Sequence, residues 1–195
     1  MGDNMHNPNQ ERMSNLGSAP SCINGSLNHK YHADTNYPYG LDLLCRKFIK
    51  KEYSILELGS HKGVSTAVFA SYCSTVRTID HKKFHELEAV LSSNPNISFV
   101  QQNVLQFGKK DSNMYDFIYL DAGHNQQAVI DQLNLFLPKV KQNGLIGGHD
   151  YCNSTEILSK QAPAHHFGVR AAVDSVFYNK EIHIFPDTSW LVELN

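Results

Sequence analysis

Short apolar runs alternate along the chain with segments that repeat apolar residues at helical spacing. The runs predict strands, and the amphipathic segments predict helices. Strands are expected near 53–58, 75–80, 97–101, 115–121 and 144–149, and helices near 63–73, 82–92 and 126–137. Because strands that alternate with helices form parallel sheets covered on both faces, the pattern predicts a doubly wound α/β fold.

The two flanks of this alternating region carry further elements. Before it, residues 41–51 repeat apolar residues at helical spacing and end in basic residues, which predicts a helix over one edge of the sheet. After it, the pattern predicts a helix at 168–178 and two strands at 181–186 and 189–194. Trp190 lies inside the last apolar strand and is expected in the core.

The amino-terminal segment 1–28 differs in composition from the rest of the chain. It is rich in Asn, Ser, Gly and Pro and holds only isolated apolar residues. Such a segment buries too little surface to offset the entropy of ordering, so we expect a disordered tail. The remaining residues, 29–195, are expected to form a single domain.

Composition narrows the class of protein. The net charge of -2 and the absence of a basic stripe give no field for holding a polyanion, so nucleic acid is not the expected partner. No apolar run approaches the roughly 20 residues that span a bilayer, and no secretory signal is seen, so we expect a cytoplasmic protein. The four cysteines are scattered and form no Cys-x-x-Cys pair, which argues against a zinc site and a disulfide framework.

The strongest local signal is the turn after the first predicted strand. The apolar run that contains Glu57 ends at Gly59, and Gly63 follows just before an amphipathic segment. Glycine lets a ligand approach the backbone closely, and the following helix start offers unpaired N–H groups. Asp80, at the end of the second strand, could accept hydrogen bonds from ribose hydroxyls. The pattern indicates a nucleotide cofactor, although an ordinary strand-to-helix connection remains an alternative.

A polar residue or a glycine falls at the end of each of five successive predicted strands. Because right-handed crossovers bring the carboxyl ends of parallel strands to one edge, these positions should share one rim of the sheet. They are Gly59, Asp80, Asn103, Asp121 and Asp150. Five such positions are hard to explain by packing, so the rim is the expected site.

Several of these segments resemble the motifs of class I S-adenosylmethionine-dependent methyltransferases. Residues 57–66 with Asp80 resemble their first and second motifs, and 115–124 resembles the fourth. The ending His149-Asp150-Tyr151, together with 168–174, is similar to methyltransferase domain family 24. The resemblance implies a Rossmann-like sheet of seven strands, mostly parallel, with an antiparallel carboxyl-terminal strand.

The resemblance also implies which residues bind S-adenosylmethionine. The loop and the following helix would hold the methionine portion, Asp80 the ribose, and the residues after the third strand the adenine. The implied cofactor residues are Glu57, Gly59, Ser60, His61, Gly63, Ser65, Asp80, Asn103, Val104 and Asp121. Many family members carry Asp where Asn103 stands, but an amide oxygen can still accept from the adenine amino group.

The residues expected to carry the chemistry are Asp121, His124 and Asp150. Two carboxylates from adjacent strand ends can share Mg²⁺ or another divalent cation, and metal-dependent O-methyltransferases have aspartates at these strand ends. His124 could accept the acceptor's proton, or its loop could serve only to cap the next helix through Asn125. His149 should point away from Asp150 if the strand continues. Two histidines and a carboxylate would instead suit an iron site.

These expectations converge on one function. The chain is expected to be a metal-assisted O-methyltransferase for a small hydroxylated acceptor such as a sugar or secondary metabolite. An NAD-type oxidoreductase is disfavoured because the middle glycine of Gly-x-Gly-x-x-Gly is missing. A cofactor-binding module without turnover is the third hypothesis. His165 and His166 could reach the acceptor from their loop, and the oligomeric state, a homodimer included, stays open.

Overall fold

The computed structural model describes residues 39–152 and 168–195, which form alternating helices and strands. The elements in chain order are α1 (Tyr39–Phe48), β1 (Ser54–Leu58), α2 (Val64–Tyr72), β2 (Thr75–Asp80), α3 (His85–Ser93), β3 (Ile97–Gln101), α4 (Val104–Lys110), β4 (Tyr115–Leu120), α5 (Gln126–Phe136), a 3-10 turn (Leu137–Lys139), β5 (Val140–Gly148), α6 (Gly168–Val176), β6 (His183–Ile184) and β7 (Trp190–Glu193). The predicted tail 1–28 and His165 and His166 lie outside the described residues.

All seven strands belong to one sheet, in the order β3-β2-β1-β4-β5-β7-β6. The first five strands pair in parallel, whereas β7 runs antiparallel to both β5 and β6. The predicted doubly wound, mostly parallel sheet is therefore confirmed. The chain leaves β1 for β2 on one side and returns to β4 on the other, so a crevice opens where these strands end.

The core lies on both faces of the sheet because neighbouring residues of a strand point to opposite sides. On one face, Leu56 and Ile118 pack with Leu133 of α5. On the other, Ile55 and Phe117 pack with residues of α1 and α2. Trp190 is fully buried, as the sequence predicted.

One helix, α4, was not predicted from the sequence. It is short, and it carries Gly108, which is unfavourable inside a helix. A Cβ at Gly108 would lie 2.6 Å from atoms of both Leu135 and Phe136. The glycine therefore lets α4 pack closely on α5, and this tertiary contact outweighs the local preference.

Other differences concern the bounds of elements. β5 begins at Val140 rather than 144, and its register with β4 shifts between Tyr115 and Phe117. β6 is only two residues long, and α3 begins at His85 rather than 82. Within 39–152 and 168–195, no helix is both long and apolar enough to cross a membrane.

Candidate active site

A cavity of about 520 Å³ opens at the edge of the sheet where β1, β2 and β4 end. Most of the residues predicted from the sequence line it together: Gly59, Ser60, His61, Ser65, Asp80, Asn103, Val104, Asp121, His124 and Asp150. Two predicted cofactor residues, Glu57 and Gly63, do not line it. The predicted rim is thus one shared hollow, with two residues placed behind its wall.

Gly59 occupies the point where the end of β1 crosses the loop after β4. Its φ of 97° lies in the left-handed region that favours glycine. A Cβ at this position would lie 2.2 Å from the backbone oxygen of Asp121. Gly59 therefore keeps the two loops in contact and leaves bare backbone at the cavity wall.

The loop after Gly59 exposes several polar groups at the start of α2. Gly63 has a φ of 85°, and no side chain caps the helix start. The Oγ atom of Ser60 is buried and has no hydrogen-bond partner in the described part of the chain. A Cβ at Gly63 would meet Leu87 and Val90, so this glycine serves the packing of α2 on α3. The loop therefore offers hydrogen-bond donors to a ligand, whereas Gly63 does not line the cavity and packs against α3.

Glu57 is fully buried beneath this loop. Its carboxylate accepts hydrogen bonds from the hydroxyls of Ser65 (2.5 Å), Thr66 (2.5 Å) and Thr78 (2.6 Å). Burial raises the pKa of Glu57 to about 7, although the three hydroxyls act to lower it. The arrangement ties β1, β2 and α2 together, so Glu57 holds the loop in place from below.

Asp80 lines the cavity and also braces the glycine loop. Its Oδ2 accepts a hydrogen bond from the backbone N–H of His61 (2.9 Å), and its Oδ1 accepts one from Lys82 (3.0 Å). A carboxylate has about four lone-pair sites, so others remain for a ligand. Next to it, the ring of His61 packs edge-on against Phe84, with 4.5 Å between ring centroids.

Asn103 serves as the N-cap of α4. Its side-chain oxygen accepts hydrogen bonds from the backbone N–H groups of Leu105 (3.0 Å) and Gln106 (3.2 Å). The oxygen that was expected to accept from adenine is therefore already engaged. The sequence carried a signal for this, because Asn is among the strongest N-cap residues.

A second group of polar side chains gathers where β4 and β5 end. The Nε2 atom of His124 lies 3.4 Å from Oδ1 of Asp121 and 3.2 Å from Oδ2 of Asp150. One ligand atom from each of the three residues lies within 4.8 Å of the other two. Asn125 caps α5 by accepting from Ala128 N–H (2.9 Å), while His124 faces the cavity. Both functions expected of this loop are thus compatible.

His149 does not point away from Asp150, because the condition for that expectation, a strand that continues through both residues, is not met. β5 ends at Gly148, and Asp150 has a φ of 61°, so the alternating pattern stops before these residues. The Nδ1 atom of His149 lies 3.2 Å from Oδ1 of Asp150, and both residues line the cavity. A second histidine therefore joins the carboxylates.

The carboxylates favour the protonated form of both histidines. Burial opposes protonation of His124, but the hydrogen bond to Asp121 and the charges of Asp121 and Asp150 outweigh it and raise its pKa. For His149, burial is likewise outweighed by Asp150, Asp121 and Asp187, and its pKa is about 9. In their protonated forms, His124 and His149 thus partly neutralise the negative charges of Asp121 and Asp150.

Sequence reasoning missed Gln132, which also lines the cavity. Gln132 is 2% exposed, and it lies on α5 three residues after Val129 and four before Phe136, both of which are buried. A polar residue on the apolar face of a helix is a signal that could have singled it out.

Comparisons with known proteins agree with this fold. Residues 56–151 match the model of a family described as a methyltransferase domain. Comparison with curated proteins gives no match.

Among solved structures, the chain is similar to an O-methyltransferase from Bacillus cereus in complex with SAH, at 16% identity over 95% of this chain and 96% of that chain, with a TM-score of 0.63. It is also similar to TomG from Streptomyces achromogenes, an O-methyltransferase of tomaymycin synthesis in complex with SAM, at 14% identity over 95% of each chain, with a TM-score of 0.65. The N-methyltransferase NodS from Bradyrhizobium japonicum is a more distant neighbour, at 13% identity over 78% of this chain and 88% of that chain, with a TM-score of 0.54. At these identities the likeness shows the fold.

The seven-stranded sheet and the matched domain define the class of this protein: it is a class I methyltransferase, of the S-adenosylmethionine-dependent type. Within that class, residues 56–151 carry the family 24 methyltransferase domain. The resemblance drawn from the sequence motifs is therefore confirmed.

Proposed function

We propose that the chain is an S-adenosylmethionine-dependent O-methyltransferase that acts on a small hydroxylated acceptor, such as a sugar or secondary metabolite, with the help of a divalent cation. One observation carries the proposal. Asp121, His124 and Asp150 form a compact cluster in the wall of the same cavity that Gly59 and Asp80 line. A cofactor and a cation would then meet in one hollow.

The cofactor half of the cavity suits the parts of S-adenosylmethionine. Gly59, Ser60, His61 and Ser65 would hold the methionine portion, because the start of α2 and the unpartnered Ser60 hydroxyl suit a carboxylate. Asp121, beside Gly59, would attract the ammonium group. Asp80 would bind the ribose. Asn103 and Val104 would lie against the adenine, while Glu57 and Gly63 support the loop from behind.

The cluster at the other end suits a hard divalent cation. Asp121 and Asp150 would supply oxygen ligands, which Mg²⁺ and Mn²⁺ accept, and the neighbouring imidazole of His124 would stay uncoordinated so that it can take up a proton. The three described residues whose ligand atoms lie within 4.8 Å of one another are two carboxylates and one histidine, and His149 beside Asp150 is not among them, so the cluster favours a carboxylate-bound cation over the two-histidine, one-carboxylate set of an iron oxygenase. When bound, the cation would polarise the acceptor hydroxyl and offset the two carboxylate charges.

His124 is the proposed general base. When bound, S-adenosylmethionine would supply a methyl group that leaves its sulfonium sulfur for the acceptor oxygen, and His124 would take up the proton that the acceptor hydroxyl loses. S-adenosylhomocysteine and the methyl ether are the products. The hydrogen bond to Asp121 orients the imidazole. Because its pKa is raised, His124 should work better as a base when the pH is raised.

A ligand panel on the wild-type protein tests the proposal. S-adenosylhomocysteine should raise the melting temperature, NAD should not, and Mn²⁺ should bind in a titration followed by its electron paramagnetic resonance signal. Stabilisation by NAD alone would favour the oxidoreductase. Binding of S-adenosylhomocysteine without any cation binding would favour a metal-independent enzyme or a module without turnover. Cytoplasmic location and a homodimer remain predictions.

A further inference from the structure

A small recess in the cavity wall lies between α5 and the loop after β4. Gln132 forms it together with Gly123 and Ala128, and all three line the cavity. The Nε2 atom of Gln132 donates to the backbone oxygens of Ala128 (3.0 Å) and Gly123 (3.4 Å). Because both partners are carbonyl groups, only the NH₂ side of the amide can face them. The orientation of the Gln132 amide is therefore fixed.

This orientation leaves the other half of the amide unsatisfied. Oε1 of Gln132 is buried and has no hydrogen-bond partner among residues 39–152 and 168–195. A buried acceptor without a donor is unfavourable, and such groups often mark functional sites. A Cβ at Gly123 would lie 2.8 Å from Nε2 of Gln132 and 3.0 Å from Cβ of Ala128. The glycine therefore leaves room for the Gln132 amide in this orientation.

The start of α4 contributes to the same cavity but lacks a free acceptor at its cap. The side-chain oxygen of Asn103 accepts from two backbone N–H groups, so the group it has left is its NH₂ donor. A donor suits the ring nitrogens of adenine, whereas the exocyclic amino group of adenine is itself a donor and needs an acceptor. Gln132 offers one that no other group uses.

We propose that Gln132 determines the specificity for adenine, with Oε1 accepting a hydrogen bond from the exocyclic amino group of the cofactor. The inference rests on the proposed cofactor, and it assigns to α5 a contact that the sequence motifs placed at Asn103. A ligand that lacks the amino group leaves the buried oxygen of Gln132 unsatisfied, and sites of this kind reject such analogues strongly.

The test compares S-adenosylhomocysteine with S-inosylhomocysteine, in which a carbonyl oxygen replaces the amino group. By isothermal titration, the wild-type protein should bind the inosine analogue about tenfold or more weakly. Equal affinity for the two ligands would overturn the inference, and this comparison needs no variant. If the wild-type protein binds neither ligand, the proposed function fails instead, so the two failures are distinguishable.

The variant Gln132→Met tests whether Gln132 causes the difference in affinity between the two ligands, because methionine has a similar size and no acceptor oxygen. Its affinity for S-adenosylhomocysteine should fall about tenfold, its affinity for the inosine analogue should change little, and the ratio should approach one. Gln127→Met is the matched control, since Gln127 is an exposed residue of the same helix that bonds to Asp131. If Gln132→Met keeps the wild-type ratio of affinities for the two ligands, the inference is also overturned.

Discussion

The two ends of the cavity are stabilised in different ways. At the cofactor end, Glu57 accepts from three hydroxyls, and Asp80 accepts from two backbone N–H groups and lies 3.0 Å from Nδ1 of the exposed His81, so mainly neutral donors hold the acids in place. At the other end, Asp121 and Asp150 are held near each other by His124, and His149 contacts Asp150. Neutral donors keep one end preorganised, whereas charge balance makes the other sensitive to pH and to cations.

Gly59→Ala tests whether the two ends depend on each other, and it should have the largest effect. The new Cβ would lie 2.2 Å from the backbone oxygen of Asp121, and the residue would keep a φ of 97°. Backbone strain and overpacking together should cost about 3–5 kcal/mol of unfolding free energy. Binding of S-adenosylhomocysteine, measured by titration, should weaken about 100-fold.

Ser60→Ala is the control for this change, because it alters the neighbouring side chain and leaves the backbone as it is. It should weaken binding only a few-fold. If Gly59→Ala binds like the wild type, the contact between the loops is not required and the two ends are independent.

Glu57 makes the stability of the cofactor end depend on pH. Its pKa is about 7 in the folded protein, above the ordinary value of 4.5 that it has when unfolded. Its stabilising contribution is therefore complete below about pH 4.5 and is lost as the pH rises to about 7. Between these values the wild type should lose up to about 3 kcal/mol of unfolding free energy from this group.

Glu57→Gln should remove this dependence, because the amide does not ionise and can still accept from the hydroxyls. Urea denaturation of both proteins at pH 5 and pH 8 measures the difference. Glu88→Gln is the control, since Glu88 is an exposed acid on α3. If wild type and Glu57→Gln change equally with pH, the buried carboxyl does not titrate in this range.

Asp150→Asn separates the two ends by charge. Removing one of the two carboxylates should weaken Mn²⁺ binding about tenfold or more, while S-adenosylhomocysteine affinity should stay within about threefold. The pKa of His124 should fall, because a nearby negative charge is lost. Electron paramagnetic resonance measures the first effect, and NMR titration of the histidines measures the last. Asp131→Asn, on the exposed face of α5, should change none of these.

The strand ends could be predicted from the sequence because parallel topology alone brings them together. Gly59, Asp80, Asp121 and Asp150 all reached the cavity for that reason. The role of Glu57 could not be predicted, because its partners lie on two other elements, α2 and β2, and only the tertiary structure brings their hydroxyls to the carboxylate. The orientation of His149 could be predicted only on the condition that the strand continued, because alternation holds only within a strand, and β5 ends at Gly148.

Substitution of Asn103 tests whether the cofactor contacts extend to the start of α4, and it should have the smallest effect of these variants. Asn103→Ala removes the cap of α4 and should cost about 1 kcal/mol, which lowers the melting temperature by about 2–4 °C for a chain of this size. Asn103→Asp keeps a good cap and should melt like the wild type. If both variants instead lose S-adenosylhomocysteine affinity at an unchanged melting temperature, the Asn103 side chain contacts the adenine directly, and the cofactor end extends beyond the helix cap.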